Sequence, residues 1–326
     1  MIKYFGKSFL SRYLILLLLM VLGWLPAIID PTDFFILPNE SLLIGENTGN
    51  SVNLYWLVVL PLVMAVSMFG LNLLAVKQGF TGMISTLTMF LYFLYLSAYP
   101  AYFSANNIIL IGFLFILILQ SIMSFHERDD SIKNAFNSGI FVGLASVFYP
   151  PAVYLIIVIW FGILLHRVNS WRPFIASILG VFSNYLLLFS WYFVTDQWKQ
   201  KGVLYLESVV PTYDWKMEGN ITETAILGLL LVFGLLVSFK VLGTLAEKNI
   251  NLRRNLLLLV IAFFVIAGIS VVFNHYNFVL VAGVPVSLMA AHIFSTARRT
   301  LWIDRFLVVV TAIVVLFHLF RLYHAT

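Results

Sequence analysis

The sequence predicts an all-α protein, a polytopic transmembrane helical bundle of about eleven spans. Three observations lead there. First, 62% of the 326 residues are hydrophobic and only 10% are charged, against about 25% charged in a soluble domain. Such a chain cannot cover itself with polar surface in water. Second, its apolar runs are long and continuous and do not alternate with period two, which excludes an outer-membrane barrel and leaves helices. Third, the basic residues are distributed unequally between alternate loops.

Runs of about 17–22 apolar residues are taken as spans. Lys3, Lys7 and Arg12 precede the first, Tyr13–Ile29. A signal peptide begins the same way, but no small-x-small cleavage site follows, so this run is expected to be retained. The second to fourth spans are Leu54–Ala75, Met83–Ala101 and Ile108–Ser124. The fifth and sixth form a short pair, Ala135–Tyr149 and Ala152–Leu165, joined at Tyr149-Pro150-Pro151. At 1.5 Å per residue these are short for a hydrocarbon core of about 30 Å, so the proline turn is expected below the outer surface, flooring a recess. The remaining spans are Pro173–Val194, Thr222–Leu242, Asn255–Phe273, Phe278–Phe294 and Ile303–Leu322.

All but four of the 19 Lys and Arg residues fall on one set of loops. The exceptions are Lys199, Lys201, Lys216 and Arg321. The positive-inside rule then places the N-terminus in the cytoplasm and the C-terminus outside. The assignment survives if 135–165 only dips into the membrane, because two spans vanish together. The acids are biased the other way, and two outer segments, 30–53 and 196–221, are long enough to hold structure. With no soluble domain apparent, residues 1–326 read as a single membrane domain. The net charge of +5 reflects this orientation and gives no reason to expect a nucleic-acid partner.

The chain has no cysteine, which rules out disulfides, thiolate metal sites and cysteine nucleophiles. No Walker A, HExxH or GxSxG motif is present. Acids lie in loops or at helix ends, unlike the embedded carboxylates of proton-driven transporters. Asp30 and Asp33 stand at the exit of the first span. Two readings apply to them. Asp30 caps a short helix opened by Pro31 while Asp33 faces water; or a carboxylate at the membrane surface acts as a general base or helps hold a divalent cation. The loop FHERDD, with His126, Glu127, Asp129 and Asp130, reads as a solvated turn rather than a metal site. His275 is either a residue of the interfacial aromatic belt beside Tyr276 or a neighbour of Asp33 in the recess.

The central block has a recognisable succession. A helix rich in small residues (Asn137, Ser138, Gly139, Gly143, Ala145) leads into a proline turn and an apolar return helix. A basic turn at His166, Arg167 and Arg172 and a long following span complete it. Over roughly the first 200 residues this architecture resembles the multi-span glycosyltransferases of the GT-C superfamily. The whole chain also resembles an uncharacterised family of multi-pass integral membrane proteins from Bacteroidetes. The GT-C resemblance implies a bacterial inner-membrane enzyme moving a sugar from a polyprenyl-phosphate carrier at the outer face. It assigns acceptor activation to Asp33 or Asp30, since these enzymes place a catalytic acid in the first outer loop. Lys199 and Lys201 would then hold the lipid phosphate, with the prenyl tail in a groove beside the short hairpin. The competing expectations are a non-catalytic scaffold or partner subunit of an envelope complex, and a transporter with a cavity lined by Asn72, Gln120 or Asn184.

Overall fold

The computed structural model describes residues 13–20, 54–82, 85–99, 106–125, 131–168, 170–210, 221–273, 276–297, 304–305 and 307–314. Every regular element among them is helical. After a helical stretch at 13–20 come α1 (Leu54–Lys77), α2 (Leu87–Ser97), α3 (Asn106–Met123) and α4 (Ser131–Phe148). A 3₁₀ segment, Pro150–Leu155, leads into α5 (Ile156–Leu165). Then follow α6 (Arg172–Val194), α7 (Trp198–Val209), α8 (Ile221–Thr244) and α9 (Ile250–Val272). A second 3₁₀ segment, Tyr276–Ala282, leads into α10 (Gly283–Thr296). Among the described residues five stretches are long and apolar enough to cross a membrane: Val59–Lys77, Arg172–Val194, Thr224–Glu247, Ile250–Val272 and Asn277–Thr296.

Burial sorts these five. Asn277–Thr296 is 89% buried and forms the centre of the bundle, whereas α6 is 28% buried and lies on its rim. α2 is buried along all eleven of its residues. The ends of the elements collect on two sides. On one, the His166 ring bonds Asn255 Oδ1 through Nε2 (3.2 Å) and the Gly162 carbonyl through Nδ1 (2.9 Å). Asn255 in turn donates to Gln78 Oε1 (2.9 Å), and His292 Nδ1 bonds the Phe80 carbonyl (3.0 Å). On the other side, Tyr99 donates to Asn277 Oδ1 (2.8 Å), and Tyr154 donates to the Val209 carbonyl (3.3 Å). Polar bonds thus tie the helices together at both ends of an apolar core.

The proline turn follows from local chemistry. Tyr149 is extended (φ −147°, ψ 101°), as a residue before proline prefers. Pro150 and Pro151 lack N–H groups, so they serve only as a helix start. The return leg begins as 3₁₀, whose rise of about 2.0 Å per residue stretches six residues and ten α residues to roughly 27 Å. The 18 residues of α4 reach about the same length. Both legs therefore come close to the thickness of a bilayer core.

α4 and α6 cross at backbone contact. A Cβ on Gly139 would stand 2.2 Å from the Ser177 carbonyl oxygen, and one on Gly180 would stand 2.3 Å from that of Phe136. Gly143 faces Asn184, whose Nδ2 donates across the crossing to the Ile140 carbonyl (3.0 Å). Gly139 and Gly143 are one helical turn apart, so both lie on the face that meets α6, the GxxxG geometry of close membrane helix pairs.

Candidate functional site

α6 ends in a Schellman motif. Gln197 N–H bonds the Tyr192 carbonyl (2.9 Å), Asp196 N–H bonds that of Phe193 (3.3 Å), and Asp196 takes φ 55°. This turn doubles the chain back, so α7 lies along the end of α6. α7 is amphipathic: Trp198, Gly202 and Tyr205 fall at i, i+4 and i+7, on one face. On α6, Phe182, Tyr185, Leu186 and Phe189 follow the same spacing. Between the two stripes runs an open groove of about 730 Å³, lined by these residues with Lys199 and Val203. Its size falls within the 300–1,000 Å³ of small-molecule sites.

The groove is apolar along its walls and, among the described residues, carries one cation. Lys199 is exposed, and its Nζ lies 5.4 Å from the centre of the Trp198 ring. The ring's negative face favours the ammonium there. The inner wall is fixed by a chain of hydroxyls. Ser146 Oγ lies 2.6 Å from the Tyr185 hydroxyl, which also bonds the hydroxyl of Tyr205. Burial pushes the Tyr205 phenol well above its ordinary pKa, so it keeps its proton and the chain stays neutral. Those bonds, with Tyr154 to Val209, fasten α7 to α6 and the first 3₁₀ segment directly, and to α4 through Tyr185. Where α7 passes closest to Phe189 it presents Gly202, with 3.8 Å between an added Cβ and the ring.

The residues singled out from sequence are distributed unevenly. Lys199 lines the groove, and Lys201 sits on the same helix without lining it. Tyr149 is buried and stacks on Phe278, with ring centres 5.0 Å apart. Pro150 and Pro151 are buried beside it, and none of the three lines the groove. Asp30, Asp33 and His275 lie outside the described residues, as do His126, Glu127, Asp129 and Asp130. Among the described residues no three His, Asp or Glu side chains gather as a metal site. Asn184 is held in the α4–α6 crossing by the Ile140 and Gly180 carbonyls, and Gln120 is exposed. Asn72 is buried, and none of these three lines the groove.

Sequence reading missed α7, which it treated as outer loop. Its signal was the i, i+4, i+7 spacing of Trp198, Gly202 and Tyr205, masked by the charges of Lys199, Lys201 and Glu207. The Gly139/Gly143 spacing was likewise visible as a pair, but its partner face on α6 was not.

The fold and groove define a class: a helical protein with helices long and apolar enough to cross a membrane and an apolar, cation-edged cleft on its rim. Residues 41–325 match the model of the Family of unknown function (DUF6427), and the chain belongs to that family. Comparison with curated proteins and with solved structures gives no match.

Proposed function

We propose that this is a multi-pass protein of the bacterial inner membrane that binds a polyprenyl-phosphate-linked sugar and transfers the sugar at the outer face, as GT-C-like glycosyltransferases do. The observation that carries the reading is the groove between α6 and α7, apolar along its length and edged by Lys199. A prenyl chain needs an apolar trough open to lipid, and a phosphate needs a cation at its end. α6 supplies the openness, since its remaining faces display Leu187, Trp191 and Val194 outward.

In this reading an acceptor hydroxyl oxygen attacks the anomeric carbon. The bond from that carbon to the phosphate oxygen breaks, and its electron pair leaves with the lipid phosphate beside Lys199. The hydroxyl proton passes to the carboxylate of Asp33 (or Asp30). The test is release of lipid phosphate and appearance of glycosylated acceptor from a labelled polyprenyl-phosphate sugar. Asp33→Asn with Asp30→Asn is expected to abolish transfer while leaving lipid binding intact, and Lys199→Ala to weaken binding. Undiminished transfer, or unchanged envelope glycans, in the double Asn variant would sink the assignment of the acids.

A further inference from the structure

On the opposite side of the bundle, where His166, Asn255 and Gln78 are joined, a second recess of about 430 Å³ opens between α5 and α9. Arg167, Arg253 and Arg254 line it together with Leu164, Leu165 and Leu257, and among the described residues no acid does. Three arginines thus border one recess with leucines on its floor. Leu164 is 62% exposed, so the floor continues onto the outer surface of the bundle.

Local structure does not require arginine at these places. Arg167 occupies the C′ position of a Schellman motif that ends α5: its N–H bonds the Leu164 carbonyl (3.1 Å), and that of Val168 bonds the Ile163 carbonyl (3.2 Å). Its φ is 55°, in the left-handed region where glycine is the usual residue. The equivalent turn after α1 uses Gly79, at φ 71°. Arg253 stands in the opening turn of α9, where the helix dipole disfavours cations, and Arg254 follows it directly. Arg167 and Arg253 therefore sit where backbone energetics favour something else, and all three arginines border one cavity.

We infer that Arg167, Arg253 and Arg254 form a binding site for a phosphate anion, held as the headgroup of an anionic phospholipid whose acyl chain lies over Leu164 and Leu257. Guanidiniums bind phosphate oxygens through paired, charge-assisted hydrogen bonds. The adjoining leucines explain why the phosphate belongs to an amphiphile. The site is separate from the α6–α7 groove and does not depend on sugar transfer.

The full-length protein in neutral detergent would be titrated with short-chain phosphatidylglycerol, short-chain phosphatidylcholine and inorganic phosphate. Binding would be followed by native mass spectrometry and thermal melting. Phosphatidylglycerol is expected to bind and raise the melting temperature, phosphatidylcholine to do so far less. Arg253→Ala with Arg254→Ala should weaken phosphatidylglycerol binding at least tenfold. Arg167→Gly is the sharper variant: it relieves the left-handed strain, so it should melt no lower than the parent while binding phosphatidylglycerol several-fold more weakly. Equal response to both phospholipids, or undiminished binding in Arg167→Gly and the double variant, would overturn the site. Saturation by inorganic phosphate alone at the same concentration would overturn the phospholipid assignment in favour of a soluble phosphate.

Discussion

Replacing Gly180 by alanine isolates the contact on which the central hairpin rests. The new Cβ would meet the Phe136 carbonyl oxygen at 2.3 Å, the Ile140 nitrogen at 2.9 Å and Gly139 Cα at 3.0 Å. All three are backbone atoms, so no side-chain rotation relieves the clash. To restore ordinary contact α6 must withdraw by about 1 Å, which forfeits a quarter to a half of the dispersion energy at each displaced pair. Overpacking of this kind costs about 1–3 kcal/mol. The bond from Asn184 to the Ile140 carbonyl stretches as well, worth about 0.6 kcal/mol between membrane helices. Alanine returns up to about 1 kcal/mol of helix propensity, leaving a net loss of about 2 kcal/mol. The control is Gly268→Ala in α9, where nothing lies within 4 Å of the added Cβ; there only the propensity gain remains, about 1 kcal/mol. Thermal melting of the purified proteins in one detergent should therefore split in sign, Gly180→Ala falling by roughly 4 °C and Gly268→Ala holding or rising. If Gly180→Ala melted at or above the parent, the backbone crossing of α4 and α6 would be refuted.

Other outcomes follow from the same contacts. Tyr205→Phe removes the hydroxyl that ties α7 to Tyr185, and should cost about 1 kcal/mol and speed amide exchange along α7 relative to α9. Asn255→Leu removes one hydrogen-bond partner each from His166 and Gln78, and should lower stability by about 1–3 kcal/mol, measured by unfolding in mixed micelles. Gly234→Ala drives a Cβ to 2.3 Å from the Phe263 ring, so it should destabilise the α8–α9 contact, whereas Gly228→Ala on the same helix meets open space and should not.

The parts legible in the sequence were those that lipid dictates. Hydropathy found α8 within two residues at each end, because nearly the whole helix is apolar. It set the start of α4 at Ala135, where the helix begins at Ser131, because the opening turn carries Ser131, Lys133 and Asn134, which a search for apolar runs passes over. For α2 the apolar run suggested 19 residues, and the helix has 11. That element is enclosed by protein, so its composition reports burial and carries no information about length. The tenth predicted span divides into a 3₁₀ turn and α10 for the same reason.

The candidate site was legible in fragments. Lys199 was visible as one of few basic residues on the minority side, but its neighbours Phe182, Tyr185 and Phe189 looked like any lipid-facing stripe. Only the turn at Asp196 brings those stripes together. The arginine recess shows the same limit: Arg167 and Arg253 are separated by more than eighty residues, and charge counting explained each as an orientation signal.

In the proposed function the α6–α7 groove holds a lipid phosphate with its chain along the aromatic wall. A photoreactive polyprenyl-phosphate probe, cross-linked to the full-length protein in membranes and mapped by peptide mass spectrometry, tests it directly. Labels should concentrate on peptides carrying Phe182 to Phe189 and Trp198 to Tyr205, fall with excess unlabelled polyprenyl phosphate, and be lost in Gly202→Trp, which fills the groove, with a marked decrease in Lys199→Ala. Labelling that spreads evenly over the lipid-facing helices, or that persists on α6 and α7 in Gly202→Trp, would contradict it.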